Sequence, residues 1–347
     1  MSAAVVHAVR PVPVFHHLDR LTDGRGLFEH ALRSQPRPEH GYCVDDAARG
    51  LVVLSREPDP TRTVLRLSRQ YLSFVLDAVD VDGACRNRMS ARGDWLDQPG
   101  LGDWWGRAIW GLGSVVAHAE TAGQQARALA GFRLAAHRRS PYGRSMAFAA
   151  LGAGEVLRVR PTERSARDLL GDSVACAGTL RRRESDPDWP WPEQRLRYAN
   201  GVVSEALLVA GELLPDAALV NRGLTLLAFL LRVETRAGHL SVTPVGGRGR
   251  TDTGPGFDQQ PIEVAAIADA CATAYRITGD PRWLMGIGLC WRWFTGNNDA
   301  GVAMCDPGTG AGYDGLHEHG RNLNQGAEST LALLSTAQHT RRMQATR

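Results

Sequence analysis

The chain has 347 residues, 43% hydrophobic and 22% charged, which is the composition of a globular protein with a large core and excludes a disordered, collagen-like or disulfide-stapled class. A net charge of +3 with no basic run longer than Arg181-Arg182-Arg183 argues against a nucleic-acid partner, and no stretch of about 18 apolar residues is present to span a membrane. All 40 basic residues are arginine, so chemistry that needs lysine is excluded: Schiff bases, pyridoxal phosphate attachment and Walker-A phosphate binding.

Residues 1–10 carry no apolar core of signal-peptide length and no twin arginine, so the expected location is cytoplasmic. From there, apolar periodicity near 3.6 predicts about twelve helices. In chain order they span 12–20, 43–56, 61–79, 103–119, 123–138, 143–159, 162–182, 201–213, 216–234, 261–278, 281–296 and 324–342. Thr61, Thr162 and Ser329 suit N-terminal turns, and Pro261 and Pro281 sit where a first-turn proline is tolerated. The connections 21–42, 80–102, 183–200, 235–260 and 297–323 are long, whereas those after 56, 119, 159, 213 and 278 are short. With consecutive helices antiparallel, all long connections emerge at one end. The expected fold is therefore all-α, an (α/α)6 toroid formed as a single domain over 1–347, with a loop-rich face. An open solenoid of helix pairs would show a repeated sequence, which this chain lacks.

The long connections and the helix starts after them concentrate acids, amides and aromatics. The first holds His40, Tyr42, Asp45 and Asp46, and the second Asp103, Trp104, Trp105 and Arg107. Later come Asp188, Trp189, Trp191, Glu193 and Asn200, then Asp258, Gln259, Gln260 and Glu263. The last holds Tyr313, Asp314, His317, Asn324, Gln325 and Glu328. Each has an ordinary explanation, since acids are favoured at helix starts and a tryptophan between prolines plugs a loop. Their concentration on one face points further. Aromatic rings pack on pyranose C–H faces, and amides and carboxylates bond hydroxyls. Paired carboxylates then suit glycosidic chemistry, one donating a proton to the leaving oxygen and one activating water. Asp46 and Glu263 are the expected catalytic pair, with Asp45 and Asp103 holding substrate or tuning their pKa.

No zinc-type spacing occurs, and no glycine-rich loop follows a strand, so neither a metal nor a cofactor is expected. Arg107 and Arg321 are candidates for holding phosphate. Cys43, Cys85, Cys176, Cys271, Cys290 and Cys305 form no C-x-x-C pair and read as reduced thiols.

The segments HGYCVDDAAR (40–49), GDWWGRAIWGLG (102–113), DWPWPE (188–193), FDQQPIEVAA (257–266) and 313–328 resemble a bacterial family of carbohydrate-active proteins. Members of that family are six-hairpin toroids, some next to or fused with glycosyltransferase modules. The resemblance implies the fold, a carbohydrate ligand and a glycosyltransferase as partner. It departs at Ala47, where the family pattern has Asn. More remotely, the architecture is similar to inverting glycoside hydrolases and N-acylglucosamine 2-epimerases. The leading expectation is an inverting glycoside hydrolase acting on an oligo- or polysaccharide. The alternatives are a sugar epimerase using His40 and His317, and a non-catalytic glycan-binding partner of a glycosyltransferase.

Overall fold

A computed structural model describes residues 11–179 and 188–345; the Arg181–Arg183 run, the end of the predicted helix 162–182 and the side chain of Cys176 lie outside them. Twelve α-helices are found among the described residues: α1 His16–Arg20, α2 Val44–Ser55, α3 Arg62–Ala78, α4 Asp103–His118, α5 Ala122–Ala135 and α6 Gly143–Val159, then α7 Arg164–Thr179, α8 Asn200–Leu213, α9 Ala217–Val233, α10 Pro261–Thr278, α11 Arg282–Phe294 and α12 Ala327–Ala345. Side chains cap several starts. Thr61 accepts from the Val64 N–H at 3.3 Å, Thr121 from Gln124 at 3.2 Å and Asp216 from Ala218 at 2.9 Å. Gly279, at φ 67°, ends α10 in the left-handed region.

Two helices begin three or four residues later than their apolar pattern. The helix predicted over 12–20 begins at His16, because Pro13 has no N–H and disfavours helix at the residue before it. The helix predicted over 324–342 begins at Ala327. The Asn324 side chain and the Gln325 N–H are engaged by the backbone of Arg33, at 2.9 and 3.0 Å.

Helices α2, α4, α6, α8, α10 and α12 pack each on the next, and α12 returns to α2. This closure distinguishes the ring from an open solenoid. Helices α3, α5, α7, α9 and α11 lie outside, each against the inner helix before it, and α1 lies against α12. Glycines permit the close approach of α4 and α6: a Cβ on Gly113 would stand 2.3 Å from the Gly152 carbonyl, and one on Gly152 2.3 Å from that of Ile109. The core fills the space between the rings, with Leu51, Leu67, Ile109, Phe132, Leu208 and Leu227 fully or nearly fully buried. Long connections lead from outer to inner helices, so every inner helix starts at the loop-rich end. Two-residue ribbons tie these loops together, Tyr42–Cys43 against Arg88–Met89 and Arg195–Leu196 against Arg248–Gly249.

Candidate active site

Six parallel inner helices deliver their first turns to one mouth. Position i+3 or i+4 stands one turn below position i on the same face. On α2 this sets Arg49 beneath Asp45 and Asp46, and on α4 it sets Arg107 beneath Asp103. Arg49 is the hub. Its Nη1 donates to Glu328 Oε2 at 2.8 Å, and its Nη2 reaches Asp45 Oδ2 at 3.3 Å and bonds Asp46. Arg107 Nη1 bonds Asp45 from the next helix. Asp46 is buried, whereas Glu328 is half-exposed. Burial pushes the Asp46 carboxyl up to about 7 against the pull of Arg49, with the charges of Asp45 and Glu328 adding to the rise.

Two cavities meet at this hub. A central one lies within the ring, lined by Arg49, Arg107, Trp110, Phe148, Ile262 and Glu328 among others. A second is lined by His30, Asp45, Asp46, Arg49, Gln260, Asp314 and Glu328 among others. Arg49, Trp110 and Phe148 were not singled out in the sequence. The Asp45-to-Arg49 spacing was the available signal for the first, while Trp110 and Phe148 read as ordinary core positions of α4 and α6.

Glu263 is buried on the first turn of α10, and its carboxylate accepts from the backbone N–H of Ala199 and Asn200 and from Asn200 Nδ2. Burial, then the charge of Glu234, pushes it up to about 8. Asp103 accepts from Ser145 Oγ at 2.7 Å and lines a separate open groove with Trp104, Arg144, Glu193 and Tyr198. Glu193 is held by both terminal nitrogens of Arg144 at 2.8 Å, which also lowers its pKa against the effect of burial.

The other expected ligand residues divide between packed positions, cavity walls and the surface. Trp105 is fully buried, with Nε1 on the Gly83 carbonyl at 3.1 Å, so no ring face is open to a ligand. Trp191 is also buried, and it and Trp189 pack on Phe229 of outer helix α9, with centroids 6.3 and 5.1 Å from that ring. Trp104 donates to the Cys85 carbonyl at 2.7 Å. Tyr42 is buried against Phe28 and donates to Asp23 at 2.7 Å. Gln259 is fully buried, donating to Asp299 at 2.6 Å and accepting from Trp293 at 3.2 Å. Asp188 is exposed beside Arg250, and His40 is exposed edge-on to His30. His317 stands on the surface 3.8 Å from Asp258, whose pKa burial raises. Arg321 lies over the Tyr313 ring, 3.9 Å from its centroid. Asp314 accepts from the Gly326 N–H at 2.7 Å.

Among the described residues, one group approaches a metal-ligand set: Glu29, Cys43 and Asp46, with one donor atom each within 4.8 Å of one another. Arg88 pairs with Glu29, and burial holds the Cys43 thiol far from the thiolate form a metal takes.

No protein-family model and no curated protein sequence matches this chain. Solved structures do. A sugar epimerase from a ruminal bacterium superposes with a TM-score of 0.69 at 13% identity, over 93% of this chain and 95% of that one. A cellobiose 2-epimerase from Spirochaeta thermophila gives 0.69 at 14% identity, over 96% and 94%. A GH76 alpha-mannanase from Bacteroides thetaiotaomicron gives 0.62 at 12% identity, over 95% and 94%. The chain is an (α/α)6 toroid, the architecture of these sugar epimerases and glycoside hydrolases.

Proposed function

We propose that the protein is a glycoside hydrolase whose acid is Asp46 and whose water-activating carboxylate is Glu328. The observation that carries this reading is the Arg49 hub, which holds a buried acid and a half-exposed carboxylate where two cavities join. With its pKa near neutrality, Asp46 retains a proton to donate to the departing glycosidic oxygen. Glu328, on the solvent side and paired to Arg49, takes a proton from the attacking water. That is a single displacement and inverts the anomeric centre. Trp110 and Phe148, stacked on each other with centroids 6.0 Å apart, form the apolar part of the central cavity's wall. Glu263, engaged by three N–H groups, supports the wall of the cavity in this scheme rather than the chemistry.

Epimerisation needs a base beside the carbon whose proton moves. Among the described residues no histidine lines the central cavity, His40 and His317 stand on exposed loops, and His30, which lines the second cavity, sits beside Glu29 and edge-on to His40. Carboxylate chemistry is therefore favoured. The test is release of reducing sugar from a panel of oligosaccharides, with the product anomer read by proton NMR. Asp46→Asn and Glu328→Gln are expected to lower kcat by about 100-fold or more each. Deuterium incorporation at C2 of a free sugar without hydrolysis would replace this reading with an epimerase. Saturable glycan binding with no turnover would replace it with a binding partner.

A further inference from the structure

The open groove beside the hub is built from the starts of three successive inner helices. Asp103 and Trp104 come from α4, Tyr142 and Arg144 from the start of α6, and Glu193 and Tyr198 from the segment before α8. Residues 245–247, in the connection before α10, close another side. The groove holds about 880 Å³, against about 300–1,000 Å³ for a site that takes a whole small ligand. Ten large apolar side chains are exposed among the described residues, and three of them share this groove: Tyr142 at 62%, Val245 at 66% and Tyr198 at 38%. Exposed apolar residues scattered singly are ordinary, whereas rings gathered in one concavity mark a binding surface.

The floor of the groove is fixed before any ligand arrives, which limits the ordering cost of binding. Arg144 holds both Glu193 oxygens at 2.8 Å and donates from Nε to the Tyr198 carbonyl at 2.7 Å. The next residue, Ala199, gives its N–H to Glu263. The charges balance. Asp103 and Glu193 offset Arg144 and Arg197, and Arg195 is paired to Asp252 at 3.0 Å. Such a surface gives a polyanion no net attraction. It suits a ligand with C–H faces for the rings and hydroxyls for Asp103 and for Arg197, which is exposed. The groove also adjoins the hub. On α4, Asp103 stands at the groove, and Arg107, one turn on, pairs with Asp45 at the hub. The guanidinium carbon of Arg107 is 6.0 Å from the Tyr198 ring centroid.

We propose that this groove is a distal subsite, which holds uncharged units of the same sugar chain that the hub cleaves. Tyr142 is its stacking platform, and Tyr198 is the step between groove and hub. The inference rests on the glycosidase reading for the cleavage but not for the binding. It makes chain length a determinant of specificity, because binding gained on units remote from the cut lowers the barrier at the cut.

The test is a ladder of gluco-, manno- and xylo-oligosaccharides of two to six units, with oligogalacturonates as the anionic arm. Affinity is measured by calorimetry at pH 7, and kcat/KM for any chain that is cut. In the unaltered protein, affinity is expected to rise about tenfold between the shortest and longest chains of the preferred neutral sugar. Tyr142→Ala is expected to lower it about fivefold for the longest chain and less than about twofold for the shortest. The Tyr142 ring is exposed, so its removal leaves the core intact, and thermal unfolding checks this. Affinity that does not change with length in the unaltered protein overturns the proposal, and this comparison needs no variant to fold. No binding of any chain overturns it as well. So does a Tyr142→Ala loss that is absent or equal at every length, and so does tighter binding of the anionic chain than of every neutral one. The two readings fail separately: length-dependent binding without turnover removes only the glycosidase, and turnover indifferent to length removes only the subsite.

Discussion

Glu263 of α10 caps α8 through Asn200: the Asn200 backbone N–H and its Nδ2 reach the same Glu263 oxygen at 3.3 and 3.2 Å, while the Ala199 N–H takes the other. The residue ahead of α8 is Ala199, in the left-handed region at φ 47°, and it has no side-chain acceptor. A helix start leaves unsatisfied N–H groups that some acceptor must meet. Here the acceptor comes from the neighbouring inner helix, so one carboxylate ties two staves of the ring. Glu263→Ala strands buried donors and is expected to lower stability by about 2–4 kcal/mol. Glu263→Gln keeps one acceptor oxygen and points an NH2 group at the other donors, for a loss of about 1–2 kcal/mol. Urea unfolding measures both. Unchanged midpoints would remove the capping role and restore Glu263 as a catalytic candidate.

The same buried acids set the pH dependence of stability. Burial raises Asp46 and Glu234 to about 7 and Glu263 to about 8, all above their unfolded values. These acids, with Glu205, bind protons in the folded chain that the unfolded chain has lost, so their contribution falls as pH rises, while buried His17 and His339, held below the usual histidine value, oppose it up to about pH 6.5. The contribution is complete below about pH 4 and is lost as pH passes through 7 to 8. Each group adds a slope of up to about 1.4 kcal/mol per pH unit. Urea midpoints are therefore expected to decline from about pH 6.5 to pH 8, and less steeply in Glu263→Gln. A flat or rising profile over that range would contradict it.

Activity should show the matching limb. If Asp46 is the proton donor, kcat/KM falls on the alkaline side of about pH 7, by tenfold per unit once the carboxyl has ionised. A rate profile on an oligosaccharide substrate from pH 5 to pH 9 checks this. A plateau extending to pH 9 would assign the donor to a different group.

The ring was legible because it depends on two periodic signals. Apolar spacing marks the helices, and the alternation of long and short connections fixes which ends share a face. The choice among polar residues on that face depends on side-chain direction, which neither signal carries. Asp45, Asp46 and Glu328 were visible as acids at helix starts, and Arg107 as a cation among tryptophans. Arg49 was missed because an arginine one turn below two aspartates also reads as an ordinary surface pair. Glu263 looked catalytic because nothing in the sequence says that α8 begins at a residue without a capping side chain. Trp189 and Trp191 looked like a sugar platform. Their partner is Phe229, 38 to 40 positions further along the chain, on a helix whose packing the local pattern does not reveal.

Those tryptophans give the last prediction. Trp191 is buried on Phe229, with its Nε1 3.3 Å from Glu193, and contributes to neither cavity at the hub. Trp191→Ala removes a large buried ring and is expected to cost about 3–5 kcal/mol of stability. In the fraction that remains folded, KM should match that of the unaltered protein. Trp110 offers the contrast, since it lines the central cavity, with Arg56 5.6 Å from its ring centroid. Trp110→Ala is expected to raise KM about tenfold, the scale of losing an aromatic face from a small site. Chemical unfolding and steady-state kinetics on the same two preparations separate the roles. A Trp191→Ala protein of ordinary stability with a raised KM would return that tryptophan to the sugar, and would extend the binding surface over the loop that carries it.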